Sequence, residues 1–289
     1  MIPLLTAIVE AGRPMDPEAT SPPVPWWSLT KTALAAGALA LVAADRLALD
    51  APLPSRPFTL RQLLQHTAGV PDYGPLADYH EAVKRRDEPW STDDLLRRVA
   101  APRLLFEPGQ GWAYSNVGYL FVRQLVEEAA GEPIGAALGR LVFAPLDVPG
   151  VRLARTAKDL DVTAWGNATA YHPGWVYHGL AVGTPTEAAL FLHRLMTGQL
   201  LPAALLDAMR VRRPLDVPLA GRPWRTAGYG LGLMMEIASP RGLCMGHTGQ
   251  GPGSVAAAYH FPGFDPPRTA AAFAPVEDQA VVERAVLAL

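Results

Sequence analysis

The chain has 289 residues, and its apolar fraction of 49% is enough to build one large hydrophobic core. Its 25 basic and 27 acidic residues give a formal net charge of −2, and no basic run is longer than two residues. This charge pattern excludes the basic surface of a typical nucleic-acid-binding protein, so we expect no nucleic-acid partner.

The single cysteine, Cys244, excludes an internal disulfide and a cysteine-based metal site, and we expect neither a metal nor another cofactor. The first 15 residues lack a basic segment and are interrupted by Glu10, which is not typical of a signal peptide. The longest apolar stretch, residues 32–44, is shorter than the ~20 residues that a bilayer span needs. We therefore expect a cytoplasmic protein without a membrane partner, and its oligomeric state stays open.

The first predicted element is a helix over residues 28–44 that is apolar on nearly every side, as expected of a helix buried at the centre of a domain. A glycine-rich loop over 106–116 then leads into a helix over 117–130, whose apolar residues recur at helical spacing and which ends at Gly131. Capping residues and helical spacing predict the remaining helices at 59–65, 78–86 and 91–99, from 133 onwards, and at 184–196.

The last part of the chain has short apolar runs separated by Gly and Pro turns, which is typical of antiparallel strands. The predicted strands are 229–237, 243–248, 254–261 and 269–273, and they are followed by a closing helix over 276–289. The fold class is therefore α+β, with an antiparallel sheet flanked by helices and an all-helical insertion. We expect one unit over 1–289, with the sheet and its helices at about 1–55 and 222–289 and the mostly helical part at about 56–221.

Ser28 and Lys31 lie at positions i and i+3 of the first helix, so their side chains share a face and can touch. Burial lowers the pKa of a lysine because it disfavours the ammonium, and a neutral amine can take the proton of a serine hydroxyl. Free N–H groups at the helix start favour an alkoxide and an oxyanion. The competing interpretation is a lysine whose charged end reaches solvent.

Two further motifs place reactive side chains next to loops. Tyr114 and Asn116 follow the glycine-rich loop, where the phenol can act as a base if Lys31 lowers its pKa and the amide can orient the lysine or bind a substrate carbonyl. His247 and Thr248 stand between glycines at a strand end, where a ligand backbone can approach. A helix cap with a half-buried aromatic ring, and an ordinary strand end, are the respective alternatives.

Five segments together resemble one family. They are SLTK at 28–31, TLRQLLQHTAGVPDY at 59–73, FEPGQGWAYSNVGYL at 106–120, VFAPLDV at 142–148 and GHTGQGPG at 246–253. Their order and spacing are similar to those of the class C β-lactamase and D-alanyl-D-alanine peptidase group of serine hydrolases, with its esterase and transacylase relatives. The resemblance covers residues 28–262 and implies a β-lactamase/transpeptidase-like fold.

The resemblance also implies roles for individual residues. Ser28 would be the acylated nucleophile, Lys31 its proton partner and Tyr114 a second base that serves deacylation. The implied substrate-binding residues are Asn116, His247, Thr248, Gly249 and Gln250, and the implied oxyanion hole consists of the backbone N–H groups of Ser28 and Gln250. His66 is expected to be structural.

Two departures from the family pattern affect these expectations. Only 27 residues precede Ser28, and residues 11–27 are too rich in proline to form a strand pair, so we expect shortened N-terminal strands. The strand motif has His247 where a lysine is usual, so a carboxylate-bearing substrate is disfavoured.

The expected function is a serine hydrolase or acyl transferase that acts on a small ester or amide through a Ser28 acyl-enzyme. A catalytically silent binding protein of the same fold and a true β-lactamase are the alternatives. A lipase-type hydrolase is disfavoured because the sequence has no G-x-S-x-G motif.

Overall fold

The structure is a computed structural model that describes residues 2–16, 20–167, 170–216 and 219–289. Its strands are β1 (Leu5–Glu10), β2 (Arg13–Pro14), β3 (Val24–Pro25), β4 (Arg152–Ala154), β5 (Leu180–Gly183), β6 (Arg213–Pro214), β7 (Gly228–Tyr229), β8 (Met234–Ser239), β9 (Gly242–Gly251), β10 (Ser254–Phe261) and β11 (Arg268–Ala274). Eight of them form a sheet in the order β2-β1-β11-β10-β9-β8-β7-β6, and three form a small sheet in the order β3-β5-β4. Neighbouring strands are antiparallel in both sheets.

The helices are α1 (Thr30–Ala43), α2 (Leu60–Leu64), α3 (Ala77–Arg85), α4 (Thr92–Arg98), α5 (Asn116–Ala130), α6 (Ile134–Leu138), α7 (Lys158–Asp161), α8 (Pro185–Met196), α9 (Ala203–Arg210) and α10 (Gln279–Ala288). A 3₁₀ turn, Trp27–Leu29, leads directly into α1. Every residue of α1 from Thr30 to Leu39 is buried, because the helix packs against α5 and α6 and the 3₁₀ turn before it lies against β9.

Side chains alternate between the two faces of the large sheet along each strand, so helices pack on both faces. Val255 and Tyr259 of β10 pack with α10 in one buried cluster. Ala256 and Ala258 of the same strand, with Phe273 of β11, belong to the cluster that contains α1 and α8. The many alanines of β10 and β11 let the helices approach the sheet closely, and the result is a three-layer α+β architecture.

The α+β class and the antiparallel sheet with flanking helices confirm the prediction from the sequence, and the predicted helices and strands appear with shifted ends. No strand bounds were predicted before Ser28; residues 5–10 form β1, which pairs with β11 from Arg268 to Phe273, and residues 13–14 turn back onto β1. Residues 17–19 of the proline-rich stretch lie outside the described residues. The expected shortening applies to β2, which has two residues.

Three other segments differ from the prediction. The expected strand 229–237 is split into β7 and β8 by a turn in which Gly232 has a φ of +72°. The irregular region 151–182 contributes β4 and β5 to the small sheet, and α9 was not predicted. Helix α8 packs on β1, β10 and β11, although its sequence falls within 56–221. The division into a sheet part and a helical part stays a prediction.

In the part of the chain that the structure describes, no helix combines the length and the apolarity needed to cross a membrane.

A chain of hydrogen bonds fixes α8 on the sheet. The backbone N–H of Gly12 donates to Nε2 of His193, at 3.1 Å, so this histidine carries its hydrogen on Nδ1 and donates to Oγ1 of Thr269, also at 3.1 Å. The Thr269 hydroxyl then donates to Nδ1 of His260, at 2.8 Å. Both rings must be neutral for this arrangement, and burial lowers the pKa of His260 to about 3.

We expect acidification from pH 7.5 to pH 5 to destabilise the fold through His260. In the unfolded chain His260 has a pKa near 6.5, so between about pH 6.5 and 3 it binds a proton that the folded protein does not bind. Stability is therefore lost as the pH falls through this range. The variant His260→Asn keeps an amide oxygen as an acceptor for Thr269 but has no titrating ring. Its free energy of unfolding, measured by urea titration, should fall by about 2 kcal/mol less than that of the wild type over this pH range. An equal loss in both proteins would contradict this role of His260.

Candidate active site

Ser28 lies in the 3₁₀ turn that precedes α1, and the turn is held in a strained conformation. Trp27 has a φ of +45°, in the left-handed region that costs a residue with a side chain about 1–3 kcal/mol. Its indole Nε1 donates to Oγ of Ser254, at 2.9 Å, and its ring lies directly on Gly251. Strands β9 and β10 therefore hold the turn and fix the direction of the Ser28 side chain.

Lys31 lies one turn further along and is completely buried. Its Nζ is 3.1 Å from Oγ of Ser28, 2.8 Å from Oδ1 of Asn116 and 3.2 Å from Nε2 of His178. Burial lowers the pKa of Lys31 to about 7, and the carboxylate of Asp72 opposes this shift. A large fraction of the amine is thus neutral at pH 7 and in contact with the serine hydroxyl, so the alternative of a solvated lysine was wrong.

Asn116 is oriented by a carboxylate that the sequence analysis did not select. One oxygen of Asp72 accepts the backbone N–H of Asn116, at 2.9 Å, and the other accepts its side-chain Nδ2, at 3.0 Å. The amide nitrogen therefore faces Asp72, which leaves Oδ1 for Lys31. Ser115 caps α5 through Gly118, and its hydroxyl donates to the Pro71 carbonyl. The only signal for Asp72 is its place in the segment 59–73.

The ring of Tyr114 lies beside the amine, with Nζ of Lys31 4.9 Å from its centroid. The expectation that Lys31 lowers the pKa of this phenol was wrong. Desolvation raises the pKa of Tyr114, and a hydrogen bond with Ser28 opposes the rise only in part. The phenol is neutral at pH 7, so it can relay a proton between neighbouring groups but is not ionised in the resting site.

The histidines near the site are buried and neutral. Burial lowers the pKa of His66, whose Nδ1 accepts the backbone N–H of Ser115 at 3.1 Å, and these contacts support the expected structural role. His178 is buried against Lys31, and burial also lowers its pKa well below the ordinary value. Sequence reasoning missed His178 because it stands in a segment without periodicity and belongs to no motif.

The strand motif contributes to the site differently than expected. The His247 ring is fully buried, and its Nε2 is 2.9 Å from the Tyr229 hydroxyl. Burial lowers the pKa of His247 to about 3, so it supplies no charge. Of the motif residues that the structure describes, Thr248, Gln250, Gly251 and Pro252 line the cleft, and His247 is not among the lining residues. The expectation that the His247 side chain binds substrate stays a prediction.

A buried ion pair supports the same strand from the opposite side. Glu283 of α10 is completely buried and accepts a hydrogen bond from the Thr248 hydroxyl, at 2.7 Å. It also pairs with the guanidinium of Arg222, whose Nε lies 2.9 Å away. Arg222 lines the cleft near Thr248. The positive charge beside β9 thus comes from Arg222, in a loop that is distant in sequence from Thr248's neighbour α10, and Glu283 balances this charge. The sequence gives no signal for this pairing.

These groups surround a cleft of about 520 Å³. Ser28, Tyr114, Asn116 and His178 form part of its wall. Five aromatic side chains, those of Trp27, Tyr73, Tyr79, Trp112 and Tyr171, form another part of the wall. A nucleophile with a neighbouring amine, at the edge of an aromatic cleft, is an arrangement suited to acyl transfer from a small apolar substrate.

Comparisons with known proteins agree with this geometry. A protein-family profile described as Beta-lactamase matches residues 6–263. Esterase EstB of Burkholderia gladioli is 36% identical over 159 residues, which cover 47% of this chain and 39% of EstB. Penicillin-binding protein 4* of Bacillus subtilis (strain 168) is 24% identical over 233 residues, or 71% of this chain and 49% of that protein. The matches thus span less than half the length of either relative.

Among solved structures, D-amino acid amidase from Ochrobactrum anthropi SV3 superimposes with a TM-score of 0.79 and 21% identity. The superposition covers 99% of this chain and 95% of the amidase. At this identity the likeness concerns the fold, and it confirms the α+β architecture expected from the sequence.

We expect Gly249→Ala to disturb the site, because β9 passes the nucleophile turn at this residue. A Cβ at Gly249 would lie 2.6 Å from the Ser28 nitrogen and 2.7 Å from Cβ of Trp27, which forces the strand and the turn apart. The variant should lose about 1–3 kcal/mol of unfolding free energy in a urea titration. Gly263→Ala is the control, since a Cβ there meets open space, and it should stay within about 0.5 kcal/mol of the wild type. Equal stability of both variants would show that β9 does not constrain the turn.

Proposed function

The chain belongs to the beta-lactamase family, and on this premise we propose that it is a serine hydrolase or acyl transferase that acts on a small ester or amide through an acyl-enzyme on Ser28. The contact between the buried Lys31 amine and the Ser28 hydroxyl carries the proposal. A lysine with a pKa of about 7 is both a competent base and a competent acid near neutral pH.

The proposed reaction has two steps. In the first, Oγ of Ser28 attacks the substrate carbonyl carbon and its proton passes to Nζ of Lys31. The bond to the leaving alcohol or amine then breaks, and the leaving group takes up a proton through the Lys31–Tyr114 pair. In the second, water or an amine attacks the carbonyl carbon of the acyl-enzyme and gives up a proton to the same pair. The bond between this carbon and Oγ of Ser28 then breaks, and the pair returns the proton to Oγ. The backbone N–H groups of Ser28 and Gln250 are proposed to bind the oxyanion of both steps.

The site supports uncharged acyl groups better than carboxylates. His247 is neutral and fully buried, and the charge of Arg222 is balanced by Glu283. The aromatic lining favours an apolar or aromatic side group. A small apolar ester, or the amide of an apolar amino acid, has the chemistry that this cleft accepts, and the relatives named for esterase and amidase activity support these two classes.

Hydrolysis of β-lactams is the second candidate, since Arg222 places a guanidinium near Thr248, where a β-lactam carboxylate would need a cation. For this activity the Arg222 guanidinium would have to bind the ligand while it remains paired with Glu283. A chromogenic cephalosporin, assayed beside the ester and amide substrates, separates the two candidates.

We expect a fluorophosphonate probe to label the wild-type protein at one site, Ser28, with a stoichiometry near one. Mass spectrometry of the intact protein and of its peptides measures the adduct. Ser28→Ala should give no adduct, whereas Ser55→Ala, which removes an exposed hydroxyl that does not line the cleft, should keep it. A wild-type protein without an adduct would indicate a catalytically silent binding protein.

We expect Lys31→Ala and Tyr114→Phe each to lower turnover of a p-nitrophenyl ester by at least ~10²-fold, the scale of losing a general base. Wild-type acylation should rise with pH through about 7, because deprotonation of Lys31 produces the reactive amine. Stopped-flow assays from pH 5 to 9 measure both effects.

Two matched controls accompany these variants. Tyr79→Phe changes another cleft tyrosine, and Lys84→Ala removes an exposed lysine. Both should retain wild-type rates. A near-normal rate in Lys31→Ala or Tyr114→Phe would remove that residue from the mechanism.

A further inference from the structure

We propose that His178 is a positioning residue that orients the Lys31 amine, by accepting one of its hydrogens at Nε2 so that the lone pair of Nζ faces the Ser28 hydroxyl. This inference rests on the proposed function of the Ser28–Lys31 pair and assigns a role to a residue that belongs to none of the motifs. The Nε2 atom lies 3.2 Å from Nζ, and the ring is 2% exposed.

The argument starts from the hydrogens of a neutral amine. A neutral lysine has two N–H donors and one lone pair, and Nζ has three polar neighbours within 3.2 Å. Oδ1 of Asn116 can only accept, and Asp72 prevents the amide from turning its nitrogen towards the lysine. One N–H is therefore directed to Asn116. The second N–H and the lone pair remain to be divided between His178 and Ser28.

The tautomer of His178 decides this division. If the hydrogen is on Nδ1, Nε2 accepts the second N–H and the lone pair is left for the Ser28 hydroxyl. If the hydrogen is on Nε2, the ring donates to the lone pair and the lysine cannot receive the serine proton. Only the first tautomer gives a reactive pair. In it, the Nδ1–H has no acceptor among the residues that the structure describes, at a ring that lines the cleft.

The segment that carries His178 is tied to α1 and α5, as a positioning role requires. Beyond the ring, the Ala181 N–H of β5 donates to Oγ1 of Thr30, at 3.0 Å, which lies next to Lys31. On the near side, Nη1 of Arg123 in α5 donates to the Tyr177 carbonyl, at 3.1 Å. The backbone on both sides of His178 is therefore held relative to Lys31, and the buried imidazole is placed within hydrogen-bond distance of Nζ.

Other groups around Lys31 also influence its protonation. The ionisable side chains that face it from the neighbouring elements are Asp72, Tyr114, Tyr119, His66, His178 and His247. Asp72 is the group whose charge raises the pKa of Lys31, and the three histidines have lowered pKa values. The histidines are neutral at pH 7, so His178 acts on Lys31 as a hydrogen-bond acceptor and not as a charge.

The test compares two variants of similar size, His178→Gln and His178→Leu. Glutamine carries an amide oxygen at about the distance of Nε2 and keeps the acceptor, whereas leucine fills the space without one. We expect His178→Leu to acylate Ser28 about 10- to 100-fold more slowly on the alkaline plateau. The acidic limb of its pH–rate profile, where protonation of Lys31 lowers the rate, should move to lower pH, because the ammonium loses a charge-assisted hydrogen bond. His178→Gln should stay within about 3-fold of the wild type, with its limb in place.

A merely structural role would lower the rate without moving the limb, and the glutamine variant would be impaired as well. The proposal is overturned if the His178→Leu limb stays in place or moves to higher pH, or if His178→Gln is as slow as His178→Leu. Circular dichroism and thermal midpoints identify a variant that fails to fold.

A second measurement uses the wild type and does not depend on folding of the variants. Long-range ¹H–¹⁵N spectra of protein labelled with ¹⁵N-histidine, at pH 8, report which ring nitrogen carries the hydrogen, and His178→Gln assigns the signal. Hydrogen on Nδ1 supports the proposal, and hydrogen on Nε2 overturns it. A wild-type protein that forms no Ser28 adduct overturns the proposed function, whereas a normal adduct with hydrogen on Nε2 overturns only the role of His178.

Discussion

The burial of one amine next to one hydroxyl is the constraint on which the site depends. Lys31 has no access to solvent, so each of its hydrogens must find a protein acceptor and its charge must be partly suppressed. Burial lowers its pKa and the Asp72 carboxylate raises it, and the balance lies near 7. A more polar pocket would keep the lysine charged, and a pocket without acceptors would make its burial unfavourable.

The surrounding structure meets this constraint with parts from several elements. Ser28 is held by a strained turn against β9 and β10, Asn116 is turned by Asp72 at the start of α5, and His178 comes from the segment before β5. None of these side chains is oriented by the residue that it acts on. Since each of these side chains is held by neighbours other than Lys31, the geometry around Nζ exists before substrate enters. Such preorganisation of reactive groups is a basis of enzyme catalysis.

The charges beside β9 influence which ligands the cleft can bind. The residue of β9 that would supply a cation is a buried, neutral histidine, and Arg222, whose guanidinium lines the cleft, is paired with Glu283. The cleft therefore combines an activated serine with an aromatic, nearly charge-compensated lining. This combination supports the proposed preference for apolar esters and amides, since a free carboxylate would have to compete with Glu283 for Arg222.

The sequence by itself determined the α+β class, most helices and strands, and the central pair Ser28 and Lys31, because periodicity, capping residues and an i, i+3 spacing are local properties. It also gave Tyr114 and Asn116, which the structure brings to the same amine. Strand β1 was missed because it is specified by its pairing with β11, at the other end of the sequence. Only the tertiary structure decided that His178, 147 residues from Lys31, contacts Nζ, that the His247 ring is buried against the Tyr229 hydroxyl, and that Arg222 pairs with Glu283. These contacts depend on how distant segments pack, and no local pattern encodes that packing.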